Sequence, residues 1–201
     1  DAGCEVLVMT IPDPSDTAYY SPIDSAARVL KVKPAALQKA YGLSPDDRIT
    51  VKGLMDVGCQ FISGALQGLD GDQLVDSEWL SQVGTHAAAM NSEISSLAQE
   101  HGALVYDLAA FFKRVRDVGI DLGSRRLTAD FLGGFYELNG YFPGPTGQGL
   151  IANDILQQIN RHYEAAYPLA DIGLVMANDP VADYRQAEGP VLSEENLSRV
   201  F

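Results

Sequence analysis

The chain has 201 residues, of which 46% are hydrophobic and 20% are charged. This length and composition are typical of one globular domain with a sizeable core, and they exclude a disordered chain. The formal net charge of −13 argues against nucleic acid or an anionic membrane as a partner. No apolar run approaches the roughly 20 residues of a membrane span, so no such span is predicted.

The first predicted element is a buried strand over 4–10, "CEVLVMT", which the proline-rich segment "IPDPSD" ends. Helical spacing follows on both sides of Pro34. Because proline lacks an amide donor and clashes with the preceding turn, Pro34 is predicted to open the second of two helices, which ends at Gly42. The region 43–76 shows no clean period, and its secondary structure stays open.

The clearest predicted helix runs from Ser77 to Glu100, with Asp76 as N-cap and "HG" at 101–102 as the stop. Steps of three and four residues place an apolar stripe on one face, which is expected to point inward. The stripe consists of Leu80, Val83, Ala87, Met90, Ile94 and Leu97.

Three further elements are predicted after this helix. A second buried strand covers 103–106, and a helix follows with Leu108, Phe111, Phe112 and Val115 at helical spacing. The last long helix covers 146–164, with an inward stripe of Leu150, Ile155, Ile159 and Tyr163. Beyond Pro168 the chain is predicted to be a wrapping tail with a short terminal helix.

This order of strands and helices predicts an α/β layered fold with a parallel sheet. Only two buried strands can be identified, however, and a parallel sheet usually needs several because helices cover both of its faces. Either 43–76 hides further strands, or part of the sheet is missing from this chain.

Several smaller features have structural interpretations. Cys4 and Cys59 could form one bridge, but two small buried thiols are the preferred interpretation. The acidic groups at 13–16 and 70–76 could hint at a cation, and local turns and helix caps explain them better. The aromatic segments "YYSP" and "FYELNGYF" could line an acyl pocket, although loop packing is the preferred explanation.

Three segments together resemble the C-terminal part of SGNH/GDSL-type ester hydrolases, in particular their bacterial lipase and esterase branch. They are "VLVMTIPDPSDTAYYSP", "THAAAMNSEISSLAQEHGALVYDLAAFF" and "GGFYELNGYFPGPTGQGLIANDILQQIN". The resemblance covers nearly the whole chain and is most specific at 133–153. It implies a flavodoxin-like three-layer fold, no cofactor, a small ester or lipid-like ligand, and export from the cell.

The chain departs from this family at its catalytic positions. No Gly-Asp-Ser motif occurs, so the nucleophile and the first strands would lie upstream of Asp1. In the family's Asp-x-x-His motif, the Asp position is Asn139 and the His position is Phe142. Phenylalanine cannot accept a proton, and a neutral amide cannot stabilise an imidazolium, so the resemblance implies an impaired hydrolase.

The remaining histidines are poor candidates for a replacement base. His86 lies in the middle of a helix, and His101 is predicted at a helix C-terminus, where its charge complements the helix dipole. His162 lies near the end of the last helix, about 25 Å from the loop at ~1.5 Å per residue.

On this interpretation residues 1–168 are the C-terminal part of an SGNH/GDSL-like domain, and 169–201 are its wrapping tail. The expected partner is the missing N-terminal half or a second chain that completes the sheet. Two alternatives stay open: a non-enzymatic binding or assembly module on the same fold, and an unrelated flavodoxin-like domain that is complete within these residues.

Overall fold

The computed structural model describes residues 4–123 and 125–181, and these form seven helices longer than one turn and seven short strands. In chain order they are β1 (Leu7–Met9), β2 (Tyr20–Pro22), α1 (Ile23–Leu30), α2 (Pro34–Tyr41), β3 (Arg48–Thr50), α3 (Val51–Ser63), β4 (Leu74–Val75), α4 (Ser77–Glu100), β5 (Leu104–Tyr106), α5 (Leu108–Asp117), β6 (Ile120–Asp121), β7 (Arg126–Leu127), α6 (Pro145–His162) and α7 (Ile172–Ala177).

The two strands predicted from the sequence form a small parallel sheet. β1 pairs with β5 in the register that places Leu7 opposite Leu104 and Met9 opposite Tyr106. In the described part of the chain this sheet has two strands. The mixed α/β class with a parallel sheet is therefore confirmed.

The region 43–76 does contain strands, but they do not extend the parallel sheet. β3 pairs antiparallel with β2 and with β4, which gives a separate three-stranded sheet. Together with α1, α2 and α3 this sheet encloses the first core, whose most deeply buried members are Leu37, Ile49 and Val57. The segment between β1 and α4 thus builds most of this core, and Phe131 adds to it from the segment between β7 and α6.

A second core joins α5 and α6 to the segment between them. Phe111, Phe112 and Val115 on the inner face of α5 pack against Phe135 and Tyr136. Neither core contains a residue of β1 or β5 within the described ranges. The parallel sheet, which normally lies at the centre of an α/β fold, is here at the margin of both cores.

The predicted helix boundaries are confirmed where local chemistry sets them. α2 begins with Pro34 and ends at Gly42, whose φ of +65° is the left-handed conformation that glycine adopts without strain. α4 spans Ser77–Glu100, and the Asp76 side chain accepts a hydrogen bond from the Trp79 amide at 2.7 Å.

The predicted inward stripe of α4 is only half correct. Leu80 and Ala87 are buried, but Met90 and Leu97 are 53% and 56% exposed. The line of α4 that is in contact with the rest of the protein runs through Leu80, Ala87 and Ala98. The apolar stripe is wider than the surface available to cover it, so one edge of the stripe faces solvent.

The prediction that Cys4 and Cys59 are buried is also wrong, because both thiols are exposed. Cys59 lies on the outer side of α3, where the neighbouring Val57 fills the core instead. No helix in the described part of the chain is long and apolar enough to cross a membrane.

The segment after α6 returns along that helix. Ala170 exchanges two hydrogen bonds with the Asn153 side chain, at 2.9 and 2.8 Å. The buried Asp179 carboxylate accepts from both the amide and the hydroxyl of Thr146, at 2.9 and 2.6 Å, and so caps the N-terminus of α6. The rest of the predicted tail, 182–201, lies outside the described residues.

Candidate functional site

The loop over 137–142, which carries both predicted catalytic positions, is a tightly hydrogen-bonded turn. The Glu137 amide donates to the Phe142 carbonyl at 2.9 Å, and the Gly140 amide donates to the Glu137 carbonyl at 2.9 Å. An isolated bridge between Tyr136 and Pro143 closes its base. These bonds fix the backbone of the loop without help from a ligand.

Asn139 organises this turn through its side chain. Its Oδ1 accepts hydrogen bonds from the Tyr141 amide at 2.7 Å and the Phe142 amide at 3.0 Å, and its Nδ2 donates to Glu137 Oε2 at 3.1 Å. This is the geometry of an Asx turn, which Asp and Asn both support. The amide oxygen of Asn139 is therefore engaged with the loop's own backbone.

Phe142, at the predicted base position, points away from the protein. Its side chain is 66% exposed, and Leu138 and Tyr141 beside it are also exposed. The loop therefore presents large apolar and aromatic side chains, and its one carboxylate, Glu137, accepts a hydrogen bond from Asn139. None of the side chains on this turn can exchange a proton in the manner of an imidazole near pH 7.

The two aromatic segments noted in the sequence meet at this loop. Tyr19 stacks on Tyr141 with ring centroids 4.1 Å apart, and the hydroxyls of Tyr20 and Tyr141 lie 2.9 Å apart. Burial and the hydrogen bond with Tyr20 raise the pKa of Tyr141. These rings pack on one another and fill the space between the two loops, which agrees with loop packing rather than an open acyl pocket.

Gly140 allows this close approach of the two loops. The Tyr19 amide donates to the Gly140 carbonyl at 2.9 Å. A Cβ at position 140 would lie 2.8 Å from Val51 Cγ2 and 2.9 Å from Tyr19 Cα, and φ there is +74°. Both the space and the backbone conformation therefore require glycine.

The three histidines of the chain lie on or at the ends of α4 and α6, outside the loop over 137–142. His86 is exposed in the middle of α4, with its Nδ1 2.7 Å from the Gln82 carbonyl. His101 is the C-cap of α4, as predicted. His162 ends α6 and packs edge-on against Tyr163. None of these imidazoles lies on the loop over 137–142.

A polar cleft lies at the carboxyl ends of β1 and β5, the edge at which open α/β sheets bind ligands. It has a volume of about 880 Å³ and is bounded by α4, by α5 and by the loop after β1. Thr10 donates to Asp107 Oδ1 at 2.9 Å and accepts from the Ala109 amide, so the two strand ends are joined by side chains. Sequence analysis missed this pair; Asp107 directly after a strand and before a helix was the signal that could have found it.

A partly buried charged group, Arg116, interacts electrostatically with Asp16, which lines the cleft. The Arg116 guanidinium donates to the Thr17 carbonyl, while its buried Nε has no hydrogen-bond acceptor among the described residues. Burial lowers the pKa of Arg116. Burial also raises the pKa of Asp16, and the nearby Asp13 carboxylate raises it further. Sequence reasoning gave no indication of Arg116, because its burial depends on residues distant in the chain.

No metal centre is formed by the acidic residues in the described ranges. Asp13 accepts from the Ser15 amide at 2.8 Å as a local turn, and Asp72 pairs with Lys52. Asp70 is the N-cap of a short 3₁₀ turn, Gly71–Gln73, and Asp76 caps the long helix α4. The structural interpretation of these acids is confirmed.

Comparisons with known proteins leave the family open. No protein-family model, no curated protein and no solved structure matches this chain.

Proposed function

We propose that this chain is the C-terminal part of an SGNH/GDSL-like ester-hydrolase domain whose catalytic loop has lost its acid–base pair. The remainder of the domain, with the Ser nucleophile and further strands, comes from the missing N-terminal half or from a second chain. The ligand class is a small ester or lipid-like molecule. Catalysis is impaired because Asn139 and Phe142 occupy the family's Asp and His positions.

The observation that carries this proposal is the loop over 137–142. It is a rigid turn, it contacts the loop that follows β1 through Tyr19 and Tyr141, and it leads directly into α6. That arrangement would hold an Asp and a His at fixed positions if the chain had them. With Asn139 bound to backbone amides and Phe142 in solvent, the turn keeps its shape without proton-transfer chemistry.

The marginal position of the parallel sheet supports the second part of the proposal. A two-stranded parallel sheet outside both hydrophobic cores is poorly covered for a structure that normally buries both faces. The strands of 43–76 do not relieve this, since they belong to a separate antiparallel sheet. Strands from outside the described residues would extend the sheet and bury it.

The alternative is a non-enzymatic binding or assembly module on the same scaffold. The exposed Leu138, Tyr141 and Phe142 favour it, because apolar side chains on a rigid loop are suited to a contact rather than to proton transfer. The residue at the upstream Gly-Asp-Ser position separates the two. A serine there favours a residual or rewired enzyme, and its absence favours the module.

The experiment measures hydrolysis of short p-nitrophenyl esters by the full-length product of the encoding gene. It compares the wild type, the double variant Asn139→Asp/Phe142→His, and Phe142→Ala as a control that changes the same site without adding an imidazole. A restored general base is expected to raise the rate by ~10²–10⁴ when the nucleophile is present. The control is expected to stay at the wild-type rate.

Two results would contradict the proposal. High turnover by the wild-type protein would show that the loop is not disabled. A double variant that gains nothing, although an upstream Gly-Asp-Ser serine is present, would show that Asn139 and Phe142 are not the catalytic positions.

A further inference from the structure

The two outer edges of the parallel sheet differ in how they are covered. In a parallel ladder alternate residues bond to opposite neighbours. The Leu104 amide bonds to Val6 and the Thr10 amide to Tyr106, so Leu7 and Met9 direct their backbone groups away from β5. This outward row on β1 is a template for a further strand.

Side chains cover the neighbouring positions of the sheet instead. On the outer edge of β5, Gln158 Nε2 donates to the Val105 carbonyl at 2.7 Å. Two residues beyond the end of β1, the Asn91 side-chain amide exchanges two hydrogen bonds with the backbone of Ile11, at 2.6 and 2.8 Å. Asn91 thus covers the backbone of Ile11 next to this edge, and within the described ranges no side chain bonds to the outward backbone groups of Leu7 and Met9.

An apolar stripe on α4 is exposed as well. We define this α4 stripe as Trp79, Val83, Met90 and Leu97, of which Trp79 is 47% exposed and the last two are exposed to a similar extent. At about 100° per residue, these side chains lie roughly opposite Ser81, Ala88 and Ser92, which line the cleft and its continuation along α4. The α4 stripe is therefore on the flank that faces away from α5.

Handedness relates the β1 edge to the α4 stripe. Strand–helix–strand connections between parallel strands are right-handed in about 98% of cases. This handedness fixes the face of the sheet on which α4 lies as it connects β1 to β5. A strand that precedes β1 in the same sense would place its own connecting helix over the same face. That helix would lie beside α4, on the flank opposite the cleft, where the α4 stripe is exposed.

We propose that the β1 edge and the α4 stripe together bind one strand–helix unit. Its strand adds parallel to β1 along Leu7–Met9, and its helix packs an apolar face on the α4 stripe. This inference rests on the part of the proposed function in which outside strands complete the sheet, and it names the unit that does so. It does not depend on whether the loop over 137–142 is catalytic.

The negative charge of α4 indicates basic residues beside the apolar face of the partner helix, and it disfavours a second copy of this chain. α4 contains Glu78, Glu93 and Glu100 but no Lys or Arg, and Glu93 and Glu100 border the α4 stripe. Two copies would bring like charges together, and each carries a net charge of −13. A helix with Lys or Arg beside its apolar face is complementary.

The test compares the protein purified from the cells that naturally make it with the 201-residue chain expressed alone. Hydroxyl-radical footprinting reads the accessibility of Trp79 and Met90 separately, and hydrogen exchange reads the amides of Leu7 and Met9. In the natural assembly all four are expected to be protected several-fold relative to the isolated chain. Met55, which is 55% exposed on α3, is the internal control that stays reactive.

Matched variants keep the test independent of folding. Met90→Lys and Leu97→Lys are expected to leave the isolated chain stable, because both positions are exposed, and to prevent protection of Trp79 in the assembly. Ser92→Lys, on the cleft flank, is expected to leave the protection intact. Equal oxidation of Trp79 and Met90 in both preparations would overturn the inference, as would protection of Trp79 that survives Met90→Lys and Leu97→Lys. Ester turnover changes neither readout, so the two proposals fail separately.

Discussion

Asn139 holds the turn over 137–142, and its substitution tests whether that turn tolerates the catalytic residue of the family. Asn139→Ala removes the acceptor of two backbone amides, at 2.7 and 3.0 Å, together with the donor to Glu137. Each such bond contributes about 0.5–1.5 kcal/mol net, and the side chain is exposed, so water can replace part of the loss. We expect the free energy of unfolding to fall by about 1–2 kcal/mol.

Asn139→Asp tests the contribution of the acceptor oxygen separately from that of the Nδ2 donor. A carboxylate keeps both bonds to the Tyr141 and Phe142 amides, but it loses the donor to Glu137 and places a like charge beside it. We therefore expect a smaller loss than for Asn139→Ala. The measurement is urea-induced unfolding followed by far-ultraviolet circular dichroism, with slopes compared to confirm that the transition is unchanged.

Leu138→Ala is the matched control, because Leu138 is exposed on the same turn and makes no side-chain hydrogen bond that holds it. It is expected to change stability by less than about 0.5 kcal/mol. If Asn139→Ala costs no more than Leu138→Ala, or if Asn139→Asp costs as much as Asn139→Ala, Asn139 does not organise the loop. In that case the double variant of the esterase assay would not test a restored site.

Three other substitutions probe the packing and the electrostatics of the structure by the same unfolding measurement. Gly140→Ala is expected to lower the free energy of unfolding by at least about 1–3 kcal/mol, because Gly140 has a left-handed backbone and close contacts. The control Gly58→Ala, in open space within α3, is expected to raise it by about 0.5–1 kcal/mol. Similar effects at both sites would contradict the steric argument. Asp179→Ala removes the buried cap of α6 and leaves the Thr146 amide and hydroxyl without their acceptor. The free energy of unfolding should fall by about 1–3 kcal/mol. A change near zero would show that α6 does not need this cap. The pKa of Asp16 is raised in the folded protein, so its ionisation lowers stability as the pH rises above the ordinary Asp value of 3.8. Asp16→Asn should therefore stabilise the protein at pH ~7 and lose that advantage in acid. An equal effect at both pH values would refute this prediction.

The helix ends of this protein could be predicted from the sequence because they depend on neighbouring residues. Proline at position 34 and glycine at position 42 fix the limits of α2 through their own backbone chemistry. Asp76 fixes the start of α4 through one side-chain hydrogen bond to an amide three residues away. None of these features requires knowledge of what the helix packs against.

The short strands of 43–76 could not be predicted for the opposite reason. β3 has three residues and β4 has two, too few to show a period. They form only because β3 pairs with β2 (Tyr20–Pro22) on one side and with β4 on the other. The side chains that build the cleft, such as Thr10 and Asp107, likewise meet only when β1 and β5 pair.

The sequence by itself determined that Asn139 and Phe142 cannot act as a base, because neither side chain has a basic group in any geometry. It also determined the α/β order and the periodicity of α4. Only the tertiary structure decided which side of that helix is covered, since a hydrophobic period defines a face but not the surface it meets. It also decided that the outer edge of β1 carries no further strand among the described residues, because strand pairing depends on where distant parts of the chain come to lie.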